Sequence, residues 1–220
     1  MLVEEAVAGV AHVVEGFGTL RDDLSARYDL PDSLSDARRD EFLSARTCAH
    51  RALAEAGLRV RHCVPQGRHR EPVWPHGFVG SITHTHGHHA AVAARREDLS
   101  AIGIDLERRD AVAARHALVV LCPAELARLH DCSFLDPPSL RATLVSAKES
   151  AYKAWHATRG VPIRALDIEV SLEADLTFTA LVTRDGERPA TFVGRAALDE
   201  VHVATVALSA RDLTPRSPAR

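Results

Sequence analysis

The stretch FVGSITHTHGHHAAVAARREDLSAIGIDLE, residues 78–107, decides how this chain folds. It holds three short runs of strand character, 78–84, 90–95 and 101–107. They are parted by His86-Gly87-His88 and by Glu97-Asp98, residue types that favour turns. In the last run Asp105 and Glu107 alternate, so both carboxylates project from one face of a strand. Ile104 and Leu106 then point the other way, into a core, and Gly103 allows close approach of another backbone.

Working outward, residues 35–57 predict a helix. Ser35 caps it, Phe42, Leu43, Ala49, Leu53 and Ala56 recur at helical spacing, and Gly57 ends it. Further helices are expected near 122–130, with Pro123 in the first turn, and from Ser139 to about Ala157. The second carries the stripe Leu140, Leu144, Ala147, Ala151 and Trp155. Strand-like segments return at 166–172, 176–183, 190–197 and 201–208, with a hairpin turn at Asp185-Gly186. Helix, strands, helices, strands reads as an α+β fold. Residues 1–34 offer no recognisable functional motif, and the tail 211–220 is expected to be disordered.

Composition bounds the function. The 220 residues suit one compact domain or two small halves, and the net charge of −3 argues against a dedicated nucleic-acid binder. The four cysteines, at 48, 63, 122 and 132, show no CxxC spacing, which fits a reducing compartment. The first residues are acidic where a signal peptide would be basic, and no apolar run approaches a membrane span, so a cytoplasmic protein is expected. Charge is unevenly placed. Residues 38–70 carry eight arginines against Asp40, Glu41 and Glu55. A solvated helix face accounts for any one of them; eight together also fit a surface that meets an anion. Of the 27 basic residues only Lys148 and Lys153 are lysines.

Several groups could carry chemistry. Asp105 and Glu107 suit Mg²⁺, which takes few protein carboxylates and completes its shell with water and phosphate; taken by itself, this element is better explained as a strand end meeting water. Glu149 and Lys153 form an i,i+4 pair, read either as a solvated pair worth roughly 0.3–0.5 kcal/mol or as a third carboxylate beside a phosphate-binding proton donor. His84, His86 and His88 alternate and would share a face if the strand continued, whereas a turn at Gly87 would scatter them. The run Gly80-Ser81-Ile82-Thr83-His84 could bring backbone N–H groups, Thr83 and an imidazole to a phosphate.

Four segments in order resemble the 4′-phosphopantetheinyl transferase superfamily, in its surfactin/enterobactin-type class: Arg38-x-x-x-Phe42-x-x-x-Arg46; Trp74-Pro75-x-Gly77-x-x-Gly80-Ser81-Ile82-Thr83-His84; Ile102-Gly103-Ile104-Asp105-Leu106-Glu107; and Ser146-Ala147-Lys148-Glu149-x-x-Tyr152-Lys153-Ala154. The similarity covers roughly residues 35–170. It implies a fold of two similar α+β lobes forming a pseudo-dimer in one chain, with an N-terminal lobe over 1–108 and a C-terminal lobe over 109–210. It also implies Mg²⁺-dependent transfer of the phosphopantetheine arm of coenzyme A to a serine of an apo carrier protein, by a monomer, releasing adenosine 3′,5′-bisphosphate.

By that resemblance Asp105, Glu107 and Glu149 hold the metal, with the Leu106 carbonyl or a water nearby. Glu149 takes the serine proton, and Lys153 contacts the phosphates and protonates the departing one. Thr83 and His84 meet phosphate, Arg38 and Arg46 meet the 3′-phosphate end, and the loop of Gln66, Gly67, Arg68 and His69 borders the adenine. Val145 stands where relatives carry an aromatic residue, and Gln66 where a lysine is common; Arg68 or Arg70 could replace that lysine. Two alternatives are a catalytically inactive coenzyme A or carrier-binding module and a zinc hydrolase built on the histidines.

Overall fold

A computed structural model describes residues 1–7, 9–22, 24–60 and 62–213. Helix α1 (Leu2–Val7) and strand β1 (His12–Phe17) precede the long helix α2 (Asp36–Glu55), which leads into β2 (Phe78–Thr85), β3 (His88–Arg95) and β4 (Ile102–Arg108). Three helices follow, α3 (Ala114–Val120), α4 (Pro123–Asp131) and α5 (Pro137–Arg159). Strands β5 (Ile168–Leu172), β6 (Thr177–Val182), β7 (Ala190–Leu198) and β8 (His202–Ser209) complete the α+β architecture.

Local chemistry sets the ends of the long helices. Ser35 caps α2 by accepting a hydrogen bond from the Arg38 N–H, and the chain turns away after it at Gly57, with φ 91°. Helix α5 begins two residues before the expected Ser139 because Asp136 is its cap. The Asp136 carboxylate accepts from Ser139 N at 3.1 Å, and Pro137 fits a first turn that needs no N–H donor. Gly160, at φ 64°, ends α5.

Each lobe lays one long helix on an antiparallel sheet. In the first, β1-β3-β2 packs Ala91 and Ala93 against Ala49, Ala52 and Leu53 of α2. In the second, the order is β4-β8-β7-β6-β5, and the predicted stripe Leu140, Leu144, Ala147, Ala151 and Trp155 is buried on it. Strand β4 thus pairs with β8, Asp105 opposite Thr205, so this sheet runs across residue 108. Ile104 and Leu106 point into a third core with α1, as alternation required.

Three features depart from the sequence reading. Strand β1, for which the sequence reading assigned no element, is the third strand of the first sheet, and α3 is an additional short helix. The tail is not free from residue 211: Ala210–Leu213 forms a short 3₁₀ turn, and Asp212 accepts hydrogen bonds from Ser100 N at 3.0 Å and Ser100 Oγ at 2.9 Å. The rest of that expected tail, 214–220, lies outside the described residues.

Candidate active site

The chemistry-bearing residues meet where α5 crosses β4. Gly103 makes the crossing, since a Cβ there would lie 1.9 Å from the Ser150 carbonyl oxygen and 2.8 Å from Ala154 N. Side chains two and four residues on share that face, so Asp105 and Glu107 lie under α5, beside Glu149 and Lys153. Lys153 Nζ donates to Asp105 Oδ1 and to the Ile104 carbonyl, both at 2.8 Å. The lysine therefore bridges from helix to strand, in place of the ordinary i,i+4 bond to Glu149. The Ile104 and Leu106 N–H groups are bonded on the β2 side, and in an antiparallel strand a residue's C=O points the same way as its N–H. The Leu106 carbonyl thus faces away from β8.

This crossing gathers negative charge. Burial, then Asp105 and Glu149, push Glu107 up to about 7, with Lys153 opposing them. Burial and Asp105 likewise raise Glu149. Asp105 Oδ2 is buried with no hydrogen-bond partner among the described residues. Among those residues no three His, Cys, Asp or Glu side chains converge closely enough to hold an ion alone. A buried orphan carboxylate oxygen with two further carboxylates close by nonetheless fits Mg²⁺, which takes one or two protein carboxylates and completes its shell from water and phosphate.

Beside the crossing opens a cavity of about 780 Å³, with Lys153 in its wall. Arg38, Arg46, Gln66, His69 and His84 line it. Gly67 and Arg68 are not in its lining: Gly67 sits in the closed turn of the loop, donating its N–H to the Glu71 carbonyl at 2.7 Å. Arg38 is paired with Glu41, which also holds His84 Nδ1 at 2.8 Å. Burial lowers the pKa of His84, with Glu41 opposing.

Of the two readings open for Arg46, the solvated helix face does not hold. Arg46 is only 5% exposed, stacks 4.6 Å above Phe42, and is pushed down to about 10 by burial. Among the described residues Arg46 Nε, Trp74 Nε1 and His156 Nε2 are buried without hydrogen-bond partners, and all three residues line the cavity. Unpaired buried donors are costly, so Arg46 and Trp74 keep unused donor capacity behind this wall.

One further expectation is corrected, and one pair of alternatives is decided. Thr83 does not face the cavity: it is buried, and its Oγ1 accepts from Leu106 N at 3.1 Å and donates to Asp105 Oδ1 at 3.4 Å. The histidines follow the turn alternative, and among the described residues they form no metal cluster. His86 (φ 42°) and Gly87 (φ 77°) make the two-residue hairpin turn, which separates His84 from His88. His88 is buried against Glu15 at 2.9 Å. Sequence reasoning missed His156, one helical turn beyond Tyr152 on the same face of α5, and the apolar wall of Leu30, Pro31 and Leu34. Helical spacing from Tyr152 pointed to His156; no signal pointed to the wall.

Two family models match this chain. The one for the 4′-phosphopantetheinyl transferase N-terminal domain spans residues 32–94, and the one for the 4′-phosphopantetheinyl transferase superfamily spans 101–207. The 4′-phosphopantetheinyl transferase Svp of Streptomyces mobaraensis is 35% identical over 175 residues, covering 76% of this chain and 71% of that protein. The transferase PptT of Mycobacterium tuberculosis is 35% identical over 142 residues, covering 64% and 61%. Enterobactin synthase component D of Escherichia coli is 42% identical over 121 residues, covering 53% and 54%. Holo-[acyl-carrier-protein] synthase of Thermotoga maritima superposes with a TM-score of 0.35 at 17% identity, over 50% of this chain and 62% of that one, too loosely to argue from.

Proposed function

This chain belongs to the 4′-phosphopantetheinyl transferase superfamily, and on that premise we propose that it moves the phosphopantetheine arm of coenzyme A onto a serine of an apo carrier protein. One observation carries the reading. Lys153 holds one oxygen of Asp105 at the edge of an arginine-lined cavity, while the other oxygen is buried and unpaired. A cation and a diphosphate answer both features.

In this reading coenzyme A lies in the cavity, with its 3′-phosphate toward Arg38 and Arg46 and its adenine beside Gln66 and His69. Its diphosphate reaches Lys153 and His84. Asp105, Glu107, Glu149 and the Leu106 carbonyl are the groups that would hold Mg²⁺, directly or through water. Bound there, the metal supplies positive charge for the diphosphate oxygens. The carrier's serine oxygen bonds to the phosphorus bearing the pantetheine, and the bond from that phosphorus to adenosine 3′,5′-bisphosphate breaks. Glu149 accepts the serine proton; its raised pKa makes it a better base than an ordinary carboxylate. Lys153 stabilises and protonates the departing phosphate, a task open to an ammonium and closed to a guanidinium.

The protein acts as a monomer in the cytoplasm, on an acyl, peptidyl or aryl carrier of a peptide, polyketide or siderophore pathway. No described helix is long and apolar enough to cross a membrane. The test is to mix the protein with coenzyme A, Mg²⁺ and several apo carriers and weigh the carriers. A phosphopantetheine adduct is expected; none on any carrier would end the proposal.

A further inference from the structure

Strands β2 and β4 pack against each other yet belong to different sheets. Where backbone would ordinarily pair with backbone, two buried hydroxyls stand in. Ser81 Oγ accepts from Ile104 N at 3.0 Å, and Thr83 Oγ1 accepts from Leu106 N at 3.1 Å. Thr83 makes a further contact, to Asp105 Oδ1 at 3.4 Å. A hydroxyl carries one proton and two lone pairs; with the Leu106 N–H on a lone pair, the proton is free for the carboxylate. Lys153 donates to that same Oδ1 at 2.8 Å. Both donors therefore take Oδ1, and Oδ2 is the oxygen left unpaired.

We propose that Thr83 is a positioning residue for Asp105: anchored to β4 through the Leu106 N–H, its hydroxyl fixes the rotation of the carboxylate so that Oδ2 is presented to a divalent cation. The inference rests on the proposed reading of Asp105 as a metal-holding group. The residue type fits the role. The β-branch of threonine restricts χ1, so the strand backbone sets where the hydroxyl points. Ser81 performs the same strand-joining task two residues earlier, beside Ile104, where no carboxylate needs orienting. Thr83 thus couples the seam between the lobes to the geometry of the site.

The test is the Mg²⁺ dependence of coenzyme A binding, followed by calorimetry on the full chain, for wild type, Thr83→Val, Thr83→Ser and Ser81→Ala. Valine keeps the shape of threonine and loses the hydroxyl. Ser81→Ala also removes a hydrogen bond between β2 and β4, at a residue that lines the cavity but does not touch Asp105, so its shift in Mg²⁺ midpoint, not its coenzyme A affinity, reports the structural cost. Thr83→Val is expected to raise the Mg²⁺ midpoint roughly ten-fold or more, the usual effect of losing a group that orients a metal ligand. Thr83→Ser and Ser81→Ala are expected to stay within about two-fold of wild type, well below that effect. Thr83→Ala, smaller and equally without the hydroxyl, gives the same readout in a second variant. Equal midpoints in Thr83→Val, Thr83→Ala and Ser81→Ala overturn the positioning role alone. Wild-type coenzyme A binding that ignores Mg²⁺ overturns instead the metal reading of Asp105, and this inference with it.

Discussion

Lys148 and Lys153 stand five residues apart on one helix, and their surroundings could hardly differ more. Lys148 is 2% exposed and saturated: its ammonium meets Glu125 Oε2 at 2.8 Å, the Ala165 carbonyl at 2.9 Å and the Ile168 carbonyl at 2.5 Å. Glu125 is saturated too, accepting from Cys122 N and Val170 N at 2.7 Å each. Lys153 is open by contrast, its side chain 28% exposed and its partner Asp105 left with an orphan oxygen. A buried ion pair with every donor and acceptor used is a structural device. A pair with capacity to spare, at the edge of a cavity, is a binding device.

Two substitutions would break that division if it is wrong. Replacing Lys148 by alanine strands Glu125 as a buried charge and is expected to lower unfolding free energy by about 3–5 kcal/mol in urea. Coenzyme A binding by the protein that remains folded should keep its Mg²⁺ dependence. Asp105→Ala should do the reverse, lowering transfer by roughly 10³-fold or more through lost charge stabilisation. Its unfolding free energy should stay within about 1 kcal/mol of wild type, because carboxylate repulsion goes with the lost pair. A Lys148→Ala protein that lost its Mg²⁺ response while folded, or a fully active Asp105→Ala, would erase the contrast.

What was legible in the sequence follows from how far apart the interacting residues lie. Alternation on β4 placed Asp105 and Glu107 on one face, helical spacing placed Glu149 with Lys153, and Gly103 marked a close backbone approach before α5 was known to make it. Each of these is a local rule. The ion pair of Lys148 joins separate helices, and His88 finds Glu15 73 positions away, so neither has a local signature. Thr83 was misread for a related reason: alternation gives the face of a strand, not the neighbour that will lie along its edge. For Arg46 the local pattern left two readings, a solvated face and an anion-facing surface, and the solvated one fails because the guanidinium is buried and stacks on Phe42.

Smaller effects sharpen the description of Lys153 and its acidic neighbours. Lys153→Arg keeps the positive charge and the reach to Asp105, so coenzyme A affinity should change by no more than about three-fold, whereas turnover should fall roughly ten- to hundred-fold if a proton is passed from this position. Unchanged turnover would reduce Lys153 to a point charge.

The subtlest expectation concerns pH. Glu107 is raised from its ordinary 4.5 to about 7 by burial and by Asp105. A raised folded pKa means that the native state binds the proton more tightly than the unfolded chain does. This group therefore favours the metal-free fold as pH falls from about 7 toward 4.5, and that contribution is lost as pH rises through about 7. Mg²⁺ needs the ionised carboxylate and must displace that proton at lower pH. The rise in melting temperature produced by Mg²⁺ should accordingly be largest near pH 8 and shrink toward about pH 6. In Glu107→Gln, with nothing there to titrate, that pH dependence should flatten. A Mg²⁺ effect in the wild type that was equally large at both ends would mean that the ionisation of Glu107 is not linked to the metal and that the group stands apart from it, leaving Asp105 and Glu149 to hold it.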